Sequence, residues 1–194
     1  MYQPLLIGEH IRIVPPGTVV AAPGRLDIVM ARGAFGSGEH ETTASCLDLL
    51  ATLPRMRNAR VLDVGSGTGI LAIAALLLGA GSACCVDICP QAVESARHNC
   101  ELNSLDDRVN HLAGTLGDID ETSFDLILAN IYGDILLDIA PAIVARARSG
   151  ANILLSGILW EYNFDVRQAF ERRGCRVLKN RLLEEFSTVL LVNG

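Results

Sequence analysis

The run Val61-Leu62-Asp63-Val64-Gly65-Ser66-Gly67-Thr68-Gly69 constrains this chain more than any other stretch. An apolar strand runs into a turn in which every second residue is glycine, and an apolar helical pattern starts at once. A second apolar strand follows and closes on Asp87. Glycine has no Cβ, so a turn of this kind lets backbone approach a ligand closely. A strand–turn–helix–strand unit belongs in an open α/β sheet, where ligands bind beyond the carboxyl ends of the strands.

The glycine spacing is G-x-G-x-G. A dinucleotide fingerprint would need glycine at position 70, which is Ile70, and a P-loop would need a lysine in the turn. Asp87 lies about twenty residues beyond the turn, where a carboxylate holds a ribose hydroxyl pair. The combination favours a nucleoside carried without a pyrophosphate, with S-adenosylmethionine as the leading candidate. Each part alone has a plainer reading. The turn could be a simple connection, Asp63 could only bond the turn backbone, and Asp87 could only begin a turn.

With 194 residues, half of them hydrophobic, the chain suits one domain with a sizeable core. Its net charge of −6 argues against a broad grip on nucleic acid, which needs a basic surface. Residues 1–14 lack a signal-peptide pattern, and the most apolar run, 70–80, is too short to span a bilayer. A cytoplasmic location and no membrane partner are therefore expected. The six cysteines form no C-x-x-C pair and read as reduced structural thiols. No metal site is expected.

Residues 1–30 carry Pro4, Pro15, Pro16, Gly17, Pro23 and Gly24 between short alternating segments such as Ile11–Val14. They are expected to form an extended lead-in or linker, with a small hairpin at most, ahead of a domain spanning 31–194. Within that domain, strand patterns at 60–64, 83–87, 109–113, 124–130 and 152–156 alternate with helical patterns. The latter cover 42–53, 69–78, 90–103, 135–148 and 161–173. Pro90 suits a helix start, whereas Pro141 would kink or split its helix. Two final strands, 176–181 and 188–192, have no helix after them and are expected to pair as a hairpin. The pattern predicts a doubly wound parallel sheet with an antiparallel end.

Two further segments carry chemistry. In Ala34-Phe35-Gly36-Ser37-Gly38-Glu39-His40-Glu41-Thr42-Thr43, glycines flank a serine ahead of a helix start. A flexible loop with Thr42 as helix cap accounts for most of this. It leaves Phe35 unexplained, and a phenyl ring there could cover an adenine or wall off a methyl donor. His40 alone reads more readily as a surface residue than as a base. In Leu128-Ala129-Asn130-Ile131-Tyr132, the asparagine ends a central strand. It could cap the next helix, or its carbonyl oxygen could accept a hydrogen bond from an attacking amine.

Together, A-F-G-S-G-E-H-E-T-T, V-L-D-V-G-S-G-T-G-I-L-A-I-A-A, L-A-N-I and L-L-S-G-I-L resemble the PrmA family of lysine methyltransferases. These act on large-subunit ribosomal protein eleven, and the resemblance spans about Ile7 to the C-terminus. It implies a Rossmann-like class I methyltransferase fold, with a seven-stranded, mostly parallel sheet and an antiparallel C-terminal hairpin. It implies S-adenosyl-L-methionine as cofactor. By position it assigns Phe35, Gly36, Thr42 and Thr43 to a loop over the cofactor. It assigns Gly65, Gly67 and Asp87 to the cofactor's amino acid and ribose, with Asp63 and Ile88 beside them, and Asn130 to the reaction centre. Three features depart from the family pattern. Only a linker-like remnant stands where an N-terminal recognition domain is usual. Gly114-Thr115 replaces an acidic residue after the third strand of the sheet. Phe186 stands in for a tryptophan.

The expected function is methylation of lysine or N-terminal amines of a protein, ribosomal or other, or of a small amine, with a separate targeting subunit to supply recognition. A small-molecule or RNA methyltransferase is one alternative. A non-catalytic cofactor-binding interaction module is another.

Overall fold

The computed structural model describes residues 3–18, 25–31, 40–54 and 56–194. Three short strands come first: β1 (Leu5–Ile7), β2 (Ile11–Val14) and β3 (Leu26–Val29). β1 and β2 form the hairpin, and β3 adds to β2 in parallel, so the lead-in is a small sheet of its own. It packs on the core, for Ile11, Ile13, Ile28 and Met30 are almost fully buried. Arg12 and Asp27 tie β2 to β3 through a two-pronged ion pair at 2.7 and 2.9 Å.

The main body alternates as the sequence predicts. Helix α1 (Glu41–Thr52) precedes β4 (Arg60–Val64), α2 (Ile70–Leu77), β5 (Ser82–Asp87), α3 (Pro90–Leu102) and β6 (Val109–Ala113). Then follow β7 (Phe124–Asn130), α4 (Gly133–Arg146), β8 (Ala147–Leu159), α5 (Trp160–Glu171), β9 (Arg176–Leu182) and β10 (Phe186–Val192). The seven strands lie in the order β6-β5-β4-β7-β8-β10-β9. All neighbours from β6 to β8 are parallel, and β10 runs antiparallel to both β8 and β9. This is the Rossmann-like methyltransferase sheet with its antiparallel C-terminal hairpin.

Strand inner positions alternate between two apolar clusters. Val61, Leu126, Leu128, Leu154 and Leu190 meet α1, α2 and the lead-in sheet on one face. Leu62, Ile127, Ile153, Leu155 and Val189 meet α4 and α5 on the other. Burial on both faces explains why β4, β7 and β8 read as continuous apolar runs.

Two local expectations are corrected. Helix α4 runs unbroken through Pro141 rather than splitting there. Strand β8 covers 147–159, far beyond the apolar run at 152–156. Its polar start is held by tertiary pairing: Gly150 N–H donates to the Asn193 carbonyl at 2.9 Å, and Asn193 N–H to that of Ala151 at 2.9 Å.

Among the described residues, no helix is long and apolar enough to cross a membrane, and no group of His, Cys, Asp and Glu is arranged to hold a metal. All six cysteines are free. Burial pushes the Cys46 and Cys100 thiols up to about 12 and the Cys84 thiol to about 11, so none of the three is a ready nucleophile.

Candidate active site

The order of strands reverses between β4 and β7. The helix after β4 covers one face of the sheet and the helix after β7 the other. A crevice opens at such a switch point beyond the carboxyl ends of the strands. Those residues singled out from sequence that the structure describes lie around it.

The glycine turn follows β4. Gly65, Gly67 and Gly69 all take positive φ, at 68°, 54° and 78°, which bulkier residues rarely adopt. Gly65 and Ser66 N–H both donate to the Val86 carbonyl, at 2.8 and 3.1 Å, so the turn lies against the end of β5. A Cβ on Gly65 would run into Ile131, next to Asn130, whereas a Cβ on Gly67 would meet none of the described residues within 4 Å. Among the described residues the turn is thus closed towards β7 and open at Gly67.

Asp87 ends β5. Its Oδ2 accepts from Gly67 N–H at 2.9 Å and its Oδ1 from Cys89 N–H at 2.9 Å. A carboxylate offers about four acceptor sites, so capacity remains on both oxygens for a diol. Ile88, immediately beyond, is 78% exposed and free to cover a planar group.

Asp63 is placed differently from its neighbours. It is buried within β4, and its Oδ2 accepts from Ala72 N–H, in the first turn of α2, at 3.2 Å. Burial pushes its carboxyl up to about 7; the Ala72 bond opposes that and the Asp87 charge adds to it. This bond ties β4 to the start of α2, beyond the turn backbone named from the sequence.

Asn130 ends β7. Its Nδ2 donates to the Thr43 hydroxyl at 3.2 Å, and its Oδ1 accepts nothing from the described residues. It does not cap α4, whose cap position is Tyr132. Nor does Thr42 cap α1. His40 is the cap residue, and its Nδ1 accepts from Thr42 N–H at 3.4 Å. Thr42 and Thr43 are instead buried in the first turn of α1. Phe35 and Gly36 lie outside the described residues, as does the rest of 32–39.

Sequence reasoning missed four supports of this rim. Glu41 accepts backbone N–H bonds from Glu184, Glu185 and Phe186 at 2.9, 3.3 and 3.3 Å, fastening the β9–β10 turn to α1. The Phe186 ring stands edge-on to His40, with ring centres 5.3 Å apart. Asn99 bridges the Ala31 N–H and the Thr68 carbonyl, at 2.9 and 3.0 Å, linking the lead-in to the glycine turn. Gly157, inside L-L-S-G-I-L, takes φ 76°, and a Cβ there would lie 2.6 Å from the Ile131 carbonyl oxygen. Only the last had a sequence signal, a glycine inside a strand pattern, which often marks close backbone approach.

The family model described as ribosomal protein L11 methyltransferase (PrmA) matches residues 1–192. The chain belongs to that family. A ribosomal protein L11 methyltransferase of Pelobacter propionicus is 43% identical over 192 residues, 93% of this chain and 59% of that protein. One from an Exiguobacterium species is 34% identical, covering 100% of this chain and 62% of its own length. The chain therefore spans about three fifths of the curated relatives it matches. Among solved structures, the ribosomal protein L11 methylase of Lactobacillus delbrueckii subsp. bulgaricus superposes with a TM-score of 0.87 at 28% identity. That match covers 99% of this chain and 98% of the other. A tRNA m1G37 methyltransferase from M. jannaschii, at TM-score 0.68 and 18% identity, shares the fold.

Proposed function

We propose that the chain is an S-adenosylmethionine-dependent N-methyltransferase acting on amine groups of a protein, with ribosomal protein L11 as acceptor. The observation that carries this reading is Asn130. It stands at the switch point, anchored through Nδ2 to Thr43, with a carbonyl oxygen that accepts nothing from the described residues. Family membership supports the same chemistry, and the relatives' description as ribosomal protein L11 methyltransferases supports the acceptor.

The rim suits the cofactor on three counts. The Ser66 hydroxyl in the glycine turn is buried with no hydrogen-bond partner among the described residues, and buried polar groups without partners are rare. The open side of Gly67 gives an amino-acid group close access to backbone. Asp87 retains acceptor capacity for the ribose diol. In this reading Gly65, Gly67, Asp87 and Ile88 hold the cofactor. Asp63 serves by fixing the start of α2, and Thr42 and Thr43 close the rim opposite.

S-adenosylmethionine supplies a methyl group already activated by its sulfonium. The protein's part is to deliver a neutral nitrogen in line with it. A lysine of pKa about 10.4 gives up its proton at neutral pH at a cost of roughly 4–5 kcal/mol. A positive charge nearby and a site that excludes water both favour the neutral amine. The Asn130 Oδ1 accepts one amine N–H, and this bond fixes where the nitrogen lone pair points. The net charge of −6 weighs against an RNA acceptor.

The test is incubation of the purified chain with methyl-labelled cofactor, isolated L11 and ribosomal RNA, followed by separation of protein from RNA and acid hydrolysis of the protein. Recovery of label as methyl-lysine or an N-methylated terminal residue supports the reading. Label found only on RNA, or on no macromolecule, overturns it.

A further inference from the structure

Several large apolar side chains stand in solvent on one side of Asn130. Tyr132 is 67% exposed, Trp160 55%, Phe164 62% and Leu182 63%, with Ile135 close behind. Single exposed apolar residues are ordinary, but a contiguous group marks an interaction surface.

These residues are contiguous. Tyr132 leads into α4 and Trp160 begins α5, and the two helix starts touch: a Cβ on Gly133 would lie 2.7 Å from that of Tyr162. Ile135 and Phe164 lie about one turn along the same helices. The Trp160 indole N–H donates to the Phe186 carbonyl at 2.9 Å, and its backbone N–H to that of Glu185 at 3.2 Å, which joins the β9–β10 turn to the group. Leu182 ends β9 in that turn. Asn130 is two residues before Tyr132, so the surface is continuous with the candidate site.

Its charge selects an occupant. Residues 131–138, 159–165 and 182–186 contain Asp134, Asp138, Glu161, Asp165, Glu184 and Glu185, and no Lys, Arg or His. All six carboxylates are exposed, and none is in an ion pair among the described residues. Aromatic faces set among unpaired carboxylates attract cationic side chains and repel phosphates. The Trp160 ring is already fixed by its bond to Phe186, so ordering it on binding costs little.

We propose that this aromatic and acidic rim is the docking surface for a lysine- and arginine-rich, extended segment of the acceptor protein, adjoining the amine that is methylated. The proposal rests on the reading of the chain as a protein amine methyltransferase. The rings take the aliphatic stems and charged heads of the segment, and the carboxylates give its charge a matching field. Binding along the rim then holds the neighbouring amine at Asn130, so remote contacts assist turnover as well as affinity.

The test uses the full chain and a short fluorescein-labelled poly-lysine peptide, read by fluorescence anisotropy, with poly-glutamate peptide and single-stranded RNA as comparison probes. The poly-lysine peptide should bind, weaken as salt rises, and lose about tenfold or more in affinity to the Glu161→Lys/Asp165→Lys variant. Phe164→Ala alone should lose about threefold or more. Both changes lie on exposed positions, and unchanged cofactor binding by calorimetry will show that each variant is folded. Equal poly-lysine affinity in native and charge-reversed chains would overturn the proposal, as would preferential binding of RNA. Peptide binding through the rim with no methyl transfer to any amine would sustain the docking surface and defeat the methyltransferase reading.

Discussion

The Gly67 N–H donates to the Asp87 carboxylate at 2.9 Å across twenty residues of chain. This bond locks the end of β5 to the glycine turn and sets the carboxylate beside the open face of the turn. The group that shapes the turn is also the one that the proposed function assigns to the ribose. Replacing Asp87 with alanine removes the diol acceptor and frees two backbone donors at once. Loss of charge-assisted bonds costs roughly 1.5–3 kcal/mol, so cofactor affinity by calorimetry should fall about tenfold or more. Unchanged affinity would remove Asp87 from the site.

Gly157 sets the position of the residue that follows Asn130. Alanine there would hold an unfavourable φ of 76° and press its Cβ on the Ile131 carbonyl oxygen. Strain of this kind costs on the order of 1–3 kcal/mol. Thermal melting of Gly157→Ala should drop measurably, and turnover should fall more than cofactor affinity. A native melting temperature with native turnover would show that the contact relaxes without effect.

Asp63 makes stability depend on pH. Its carboxyl stands near 7 when folded, chiefly through burial, and near 3.9 in an unfolded chain. Between those values the folded state keeps a proton that the unfolded state has lost. Stability without cofactor should therefore fall as pH rises from about 4 to about 7, by at most on the order of 4 kcal/mol. Asp63→Asn removes the titration and should flatten that slope in urea denaturation. Parallel slopes in the two proteins would contradict the assignment.

Glu41 titrates with the opposite sign. Burial raises its carboxyl, but the three backbone N–H bonds and the His40 charge outweigh that and hold it below its ordinary value. Its contribution is present above the usual carboxylate range and is lost as pH falls through the folded value. Protection factors of the Glu184, Glu185 and Phe186 amides, corrected for intrinsic exchange at each pH, should therefore fall in Glu41→Ala at neutral pH, and in the native chain on acidification. Protection of these three amides that ignores both changes would show that the carboxylate does not hold the turn.

The sequence was legible where one local pattern decides the outcome. The glycine turn, the alternation of strands and helices, and Asp87 and Asn130 at strand ends follow from periodicity and from glycine's conformational freedom. What stayed hidden depends on partners far along the chain. Glu41 is bonded to amides 143–145 residues away, and Asn103 to the Val29 backbone 74 residues away. Neither residue type announces such a partner. β8 outran its apolar core because strands on both sides supply pairing that its polar start could not signal. Thr42 looked like a helix cap from its place beside the helix start, yet an imidazole nitrogen took that part.

The central claim is that Asn130, steadied by Thr43, orients the attacking amine and does little to hold the cofactor. Single-turnover methyl transfer to L11, with cofactor affinity measured in parallel on native, Asn130→Ala and Thr43→Val proteins, tests it most directly. The expected result is a transfer rate lowered about a hundredfold or more in Asn130→Ala and about tenfold in Thr43→Val, with cofactor affinity within about threefold of native. Native transfer rates in Asn130→Ala, or a loss of rate matched by an equal loss of cofactor affinity, would contradict the claim.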